Sequence, residues 1–560
     1  MHSALLSATN RNPNISVQIP NIDEQDVQEL FALLENHTII TSLTMESGHP
    51  NGYSERVLQS IASGIATNKK IIDLYIENSL TRNKMLYLAP AIILNKTIKF
   101  LSIGGNDLGP EDAPSIAEII RINHSIETLD LSLNKIGSKG MEEISQAIMF
   151  NTTLKKLELG RNFIKDEGIF HLAVSLMENN SLEEINLEEN EIGSLGISYI
   201  SETLFRNKTI KSLDLSTNPF GSEGYECLAN LLRRNSSLSI LKLACNRNIS
   251  DGDNNFAQSL AVNNGLHFLG LPACLKRGQS AEIANALRIN TTLRELDLFN
   301  NPIRNDDIIS LANALKDNDT ITKIDLGFAY IQESGAQEIV NTLQSNNRIT
   351  YFSINPTVNV HASQGLIAKI ENHLQQNNQF LLDSKTALIN GQNLTQDQIK
   401  TLVAHRYSSR NKYTCEIQDK LEQYEESLFQ DSIESAYAIF NAKELDGLET
   451  LPTRINEDKK FFSLLASLSR DLIKYIYSFA EERSYDKIIA NIYYDALYIY
   501  PSLKAQYSTE NQSYNLFYTL NSARKLNSEE LENLLTSCTK ESSEISELSG
   551  DLGSITYNEN

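Results

Sequence analysis

Apolar residues return along the first two thirds of this chain on a fixed beat. In "NTTLKKLELGRN", residues 151–162, leucines stand at 154, 157 and 159, and one polar residue separates the last two. The same spacing recurs in "NKTIKFLSIGGN" from 95, "NHSIETLDLSLN" from 123, "NNSLEEINLEEN" from 179, "NKTIKSLDLSTN" from 207, "NSSLSILKLACN" from 235 and "NTTLRELDLFNN" from 290. Weaker copies begin at 68, 263, 318 and 346, and starts from 68 to 346 lie 27 or 28 residues apart. A degenerate copy precedes them near Ile40, Leu43 and Met45. The pattern predicts about a dozen repeats over residues 27–378.

Each repeat predicts a short strand followed by a helix. Alternating residues such as Leu157 and Leu159 face one side of a strand. The Asn three residues later (Asn106, Asn134, Asn162, Asn190, Asn218, Asn246, Asn301) sits where the chain turns inward, and a buried amide there satisfies backbone groups of the neighbouring turn. Gly48, Ser79, Cys274, Ala329 and Thr357 replace it in other copies, which predicts looser turns. In "IGSKGMEEISQAIMFN", Gly137 and Gly140 allow a tight turn into a helix, and Ile144 and Ile148 then lie four apart on one face. Strands stack about 4.8 Å apart but helices need about 9–10 Å, so the array curves into a horseshoe with a strand-lined concave face.

Asn151-Thr152-Thr153 also reads as an N-glycosylation acceptor. The recurrence of the same triplet at equivalent positions favours a structural role. Asn151 is expected to stop a helix in the left-handed conformation that Asn tolerates, with Thr153 leading into the strand.

Composition narrows the function. Net charge is −22 with pI near 4.9, which opposes binding to phosphate backbones and to anionic membranes and favours basic protein partners. Five cysteines without a C-x-x-C pair argue against a disulfide framework and a zinc site, so no metal and no cofactor are expected. No secretory leader is visible at the start and no run of 18 apolar residues occurs, so a cytosolic place without an integral membrane segment is expected.

The L-x-x-L-x-L-x-x-N unit, the helical half and the period resemble ribonuclease-inhibitor-type leucine-rich repeats over about two thirds of the chain. The resemblance implies an α/β leucine-rich repeat horseshoe solenoid, concave parallel sheet and convex helices, that binds a protein partner through its concave face. Relatives in this class include inhibitors, immune receptors, a GTPase-activating protein and bacterial effectors.

The residue between the last two strand leucines points to the concave side: Tyr75, Ser102, Asp130, Glu158, Asn186, Asp214, Lys242, Gly270, Asp297, Asp325 and Ser353. Glu183, Glu184, Glu188 and Glu189 widen the acidic zone, and Phe268, Phe299 and Phe328 lie toward its C-terminal end, where stacking is expected. The expected partner site is therefore Asp130, Glu158, Asn186, Glu188, Glu189, Asp214, Lys242, Phe268, Asp297, Phe299, Asp325 and Phe328. It suits a basic surface that also carries an apolar anchor. Lys155, Lys156, Lys211, Arg294 and Lys323 interrupt the acid.

No catalytic motif is recognisable. There is no H-E-x-x-H, G-x-S-x-G or phosphate-cradling loop. Leucine-rich repeat ubiquitin ligases of bacteria use C-x-D, whereas Cys415 precedes Glu416-Ile417 and Cys538 precedes Thr539-Lys540. Cys245 and Cys274, from adjacent repeats, are expected to be reduced core or ladder residues.

Four segments are expected: an N-terminal cap over 1–26, the repeats over 27–378, a helical domain over 379–526 and an acidic tail over 527–560. The helical domain opens with a turn at Asn390-Gly391 and a helix beginning at Thr395. The acid-rich, Ser/Thr-containing tail resembles export signals of effectors carried by type IVB secretion systems. That resemblance implies a bacterial effector delivered into a host cytosol, acting as a binding scaffold. The alternative is an enzyme or enzyme recruiter, of the ubiquitin pathway or a GTPase regulator, with the repeats choosing substrate.

Overall fold

The computed structural model describes residues 14–18, 24–36, 41–47, 51–246, 255–354, 360–406, 417–421 and 423. The chain divides into two compact units, Met1–Leu374 and Gln375–Asn560.

Among the described residues of the first unit, thirteen strands form one sheet in sequence order, from Asn14–Gln18 to Tyr351–Ser353. Every pairing is parallel, and equivalent leucines meet across it: Leu101 faces Leu129, then Leu157, Ile185, Leu213, Leu241 and Leu269. Parallel neighbours require a crossover between them, and a helix supplies it in each repeat. The sheet reaches into the segment expected as an N-terminal cap, since Asn14–Gln18 pairs with Ser42–Glu46.

The two leucines of each strand point inward and join residues of the helices in one continuous core. Leu157, Leu159, Ile164, Ile169, Leu172 and Leu176 of one repeat are all within it. Truncating such a leucine to alanine typically costs about 2–5 kcal/mol. Gly137 and Gly221 hold φ of 64° and 61° at the turns into their helices. Gly140 serves packing instead, because a Cβ there would meet Ile136 Cγ2 at 2.7 Å.

Two rows of asparagine tie the repeats together. In the first, Asn190 Nδ2 donates to Leu159 O (2.8 Å) and Glu188 O (3.0 Å), while its Oδ1 accepts from the N–H groups of Asn162 (3.0 Å) and Ile164 (3.3 Å). Asn162 and Asn218 repeat the donor half. The substitutes are not uniformly looser. Ser79 Oγ accepts from Ser47 N–H (2.9 Å) and donates to Glu77 O, and Cys274 Sγ donates to Leu243 O. Gly48 and Thr357 lie outside the described residues.

The second row corrects an expectation. The asparagines that end the helices are not left-handed; Asn179 has φ −74° and ψ 127°, and Asn207 has φ −68° and ψ 126°. Their side chains matter instead. Asn179 Nδ2 donates to Ile148 O (2.7 Å) and Asn151 O (2.9 Å), and Oδ1 accepts from the N–H groups of Ser181 (3.0 Å) and Leu182 (2.9 Å). Asn151 does the same with Ile120, Thr153 and Leu154 and is buried. Its amide is consumed by the fold, which leaves no room for a glycan on the folded chain. The residue before the first-row position is left-handed from repeat to repeat, at Leu133, Arg161, Glu189, Thr217, Cys245, Ala273, Asn300 and Phe328, and Phe163, Lys165 and Glu191 are left-handed as well.

In the second unit, Gly391 turns the chain with φ 66°, and Thr395 starts the helix Gln396–His405. Thr395 Oγ1 accepts from Gln398 N–H, and Gln398 Oε1 accepts from Thr395 N–H, a reciprocal cap. Leu381, Leu388, Leu402 and Leu421 pack together. The helices expected beyond 423, Cys415, Cys538 and the acidic tail lie outside the described residues.

Candidate protein-binding face

Between the inward leucines, each strand presents one side chain on the face turned away from the helices. Most of these are bonded locally. Oδ1 of Asp130, Asn186, Asp214, Asp297 and Asp325 accepts the N–H two residues on, at 2.9, 2.8, 3.0, 2.9 and 2.9 Å. A short oxygen-bearing side chain thus caps the turn where the strand ends. The acidic stripe is in part a structural device.

The lysines that break up the acid also neutralise it. Lys156 bridges Glu158 (3.0 Å) and Glu184 (3.4 Å). Burial would lower the Lys156 pKa, but hydrogen bonds and charge from Glu158 and Glu184 leave it raised. Lys155 meets Glu183, Arg161 meets Glu189, and Lys242 meets Asp214 at 3.4 Å. Glu188 is half-buried beside them. Exposed pairs of this kind contribute about 0–1 kcal/mol each, but they cancel the field over the middle of the face.

The C-terminal end differs. Phe299 and Phe328 meet edge to face, with ring centroids 5.1 Å apart and planes at 85°. They remain 39% and 38% exposed. Phe268 stands elsewhere in the repeat, as the first residue of its strand opposite Ile240 and Glu295, and its ring lies along its own strand toward Gly270. So the structure pairs two of the three expected phenylalanines. Gly327 makes room for them, since a Cβ there would meet Phe299 Cδ2 at 2.6 Å and Asp325 Oδ1 at 3.2 Å. Burial raises the Asp297 pKa and Asp325 adds to it, against the Phe299 N–H and Lys323. Lys323 itself lies over the Tyr351 ring (5.3 Å) and 3.6 Å from Glu295.

A second patch, at the N-terminal end, was not among the expected site residues. Tyr75 and Phe100 pack with centroids 4.8 Å apart. Burial raises the Glu77 pKa, with Asp130 and Glu46 adding to it, and burial raises Asp73. Its signal was Phe100 at a first strand position beside Tyr75, muted because these repeats depart most from the consensus.

Cys274 is buried and pushed up to about 11 by that burial, so it remains a thiol donor in the first asparagine row. Burial, then Arg294, hold His267 down at about 3. Among the described residues no group of three or more His, Cys, Asp or Glu is placed to hold a metal ion. No described helix is long and apolar enough to cross a membrane.

Comparison with known proteins agrees with the repeat geometry. Residues 123–145, 150–173, 178–201, 206–229 and 290–312 match the family described as Leucine Rich repeat. No curated protein matches by sequence. Among solved structures, actin-binding site 2 of leiomodin-1 is 25% identical and covers 23% of this chain and 76% of that one, with a TM-score of 0.21. An internalin of Listeria monocytogenes is 15% identical, covering 61% of this chain and 87% of that one, at a TM-score of 0.35. TLR13, in its complex with ssRNA13, is 15% identical over 62% of this chain and 53% of that one, also at 0.35; this chain thus spans about half of it. Leucine-rich repeats generally mediate protein–protein interaction.

Proposed function

We propose that this chain of leucine-rich repeats is a protein-binding scaffold whose partner seats on the C-terminal end of the strand face. One observation carries the proposal. Phe299 and Phe328 form a paired, exposed aromatic surface on a face whose middle is covered by ion pairs. Exposed paired aromatics beside carboxylates suit a binding hot spot, because ring burial supplies energy and charge supplies orientation. Asp297 and Asp325 favour a basic partner. The other expected residues, Asp130, Glu158, Asn186, Glu188, Glu189, Asp214, Lys242 and Phe268, form the longer face along which that partner extends.

The finer reading is a ribonuclease-inhibitor-type array serving as a translocated effector that captures a host protein. The 27- or 28-residue period and the full helix in most repeats support the subclass. The acid-rich residues 527–560 support the delivery. The test is affinity capture from a eukaryotic lysate with the full chain and with Phe299→Asp/Phe328→Asp. The account expects the captured protein to disappear with the double variant while thermal unfolding is unchanged. Undiminished capture would rule out this face. A translocation reporter fused to the chain, read with and without residues 527–560, tests delivery separately.

A further inference from the structure

From the same aromatic end, and resting on the binding reading above, we infer that the partner's anchor is a cationic side chain, arginine or lysine, rather than an apolar one. Three features point there. First, the Phe299 ring and the acid converge. The position a Cβ would occupy at Gly327 lies 2.6 Å from Phe299 Cδ2, 2.9 Å from Phe299 Cε2 and 3.2 Å from Asp325 Oδ1. The ring therefore fills the space over Gly327 with the Asp325 carboxylate beside it. Second, the carboxylates have no direct ion pair, although the charge of Lys323 acts on Asp297 from a distance. Asp214 has Lys242 and Glu158 has Lys156, but among the described residues no lysine or arginine makes an ion pair with Asp297 or Asp325. Each spends one oxygen on a turn N–H. Of the second oxygens, Asp325 Oδ2 takes only a long 3.5 Å contact from the Tyr351 hydroxyl.

Third, the molecule already shows the arrangement filled, two residues back along the same strands. Lys323 lies over the Tyr351 ring and beside the nearly buried Glu295 carboxylate. An ammonium there has an aromatic face on one side and an acid on the other. Phe299 and Phe328 with Asp297 and Asp325 offer the same chemistry to a cation from outside. Aromatic faces attract cations through their negative π-face, and a half-desolvated carboxylate strengthens the attraction. A purely apolar anchor would bury part of the two carboxylates without replacing their water.

The experiment uses the full chain labelled with ring-13C phenylalanine, with Phe299 and Phe328 signals assigned through Phe299→Leu and Phe328→Leu. It is titrated with Nα-acetyl-arginine methylamide and with the matching citrulline and leucine amides. The arginine probe is expected to move both ring signals, and neutral citrulline, the same shape, to move them far less. In Asp297→Asn/Asp325→Asn, which keeps both turn caps, arginine binding should weaken about tenfold. Ring signals that stay still, or that move equally with citrulline, would overturn the inference. If leucine amide alone moves the rings, the cationic anchor falls and the binding face stands. If arginine moves them while lysate capture survives Phe299→Asp/Phe328→Asp, the cation site stands and the proposed function falls.

Discussion

The backbone N–H of Asn162 donates to Oδ1 of Asn190, 3.0 Å away and 28 residues later in the chain. The same amide also takes the Ile164 N–H and donates to Leu159 O and Glu188 O. One side chain therefore closes four backbone groups in two repeats. Asn190→Ala would leave the N–H groups of Asn162 and Ile164 without their acceptor, at about 1–3 kcal/mol for each that water does not reach, while Leu159 O keeps Asn162 Nδ2 and Glu188 O keeps the Arg161 N–H. A lowered urea midpoint, read by circular dichroism, is the expected result, while an exposed control such as Lys139→Ala should leave the midpoint nearly unchanged.

The triplet Asn151-Thr152-Thr153 can be dissected in the same way. Asn151→Asp turns the donor to Ile120 O into an oxygen facing an oxygen, and should cost about 1–3 kcal/mol. Thr153→Ala loses only a 3.4 Å contact to Asn151 Oδ1 and should cost under about 0.5 kcal/mol. The equivalent Ser181→Ala removes a buried 2.8 Å bond to Asn151 O and should cost more than Thr153→Ala. A glycan acceptor would give the threonine and the asparagine equal importance, so thermal denaturation of these three variants separates the two roles.

The repeat was legible because a strand that buries one side and a helix that buries one face both write their period into the leucines. The turn at Gly391 and the cap at Thr395 were legible because glycine and threonine have local reasons to be there. Other features left no such trace. Leu133, Thr217 and Phe328 take left-handed conformations that none of these residue types favours; the inward turn of every repeat imposes them. Asp130, Asp214 and Asp297 read as free acid, although each caps a turn two residues on. Phe268 looked equivalent to Phe299 and Phe328 because sequence gives their repeats but not their height on the sheet.

Thiol chemistry should divide Cys245 from Cys274. Cys245 is exposed at the turn, whereas Cys274 is buried and its pKa stands at about 11. Iodoacetamide on the native chain should alkylate Cys245 and leave Cys274 intact until denaturant is added, as read by peptide mass mapping. Equal rates on both in the native state would contradict the ladder role of Cys274.

Binding should depend on pH through Asp297. Its pKa is raised by burial and by Asp325, while Lys323 on the strand bearing Asp325 opposes the rise. Glu295 shares its own strand, and the adjoining strand Phe268–Gly270 brings no charge. A cationic partner stabilises the ionised form, so the complex holds fewer protons than the free chain and affinity rises with pH. It should be lost as pH falls through the Asp297 pKa, beginning above the ordinary aspartate value of about 3.9. Calorimetry in buffers of different ionisation enthalpy should show proton release on binding, and Asp297→Asn should flatten the dependence.

Space over Gly327 is the cheapest lever on the aromatic pair. Gly327→Ala places a methyl 2.6 Å from Phe299 Cδ2, so the ring must move. Partner capture should fall several-fold, with the melting temperature shifting by no more than a few degrees, since Phe299 is already partly exposed.

Hydroxyl-radical footprinting of the complex tests the binding face most directly, because oxidation of each phenylalanine reports its own exposure. Phe150, 78% exposed just beyond the helix Gly137–Ile148, serves as the internal reference. When the captured partner is bound, oxidation of Phe299 and Phe328 should drop sharply while Phe150 is oxidised as before. Unchanged oxidation of Phe299 and Phe328 in the saturated complex would contradict the account.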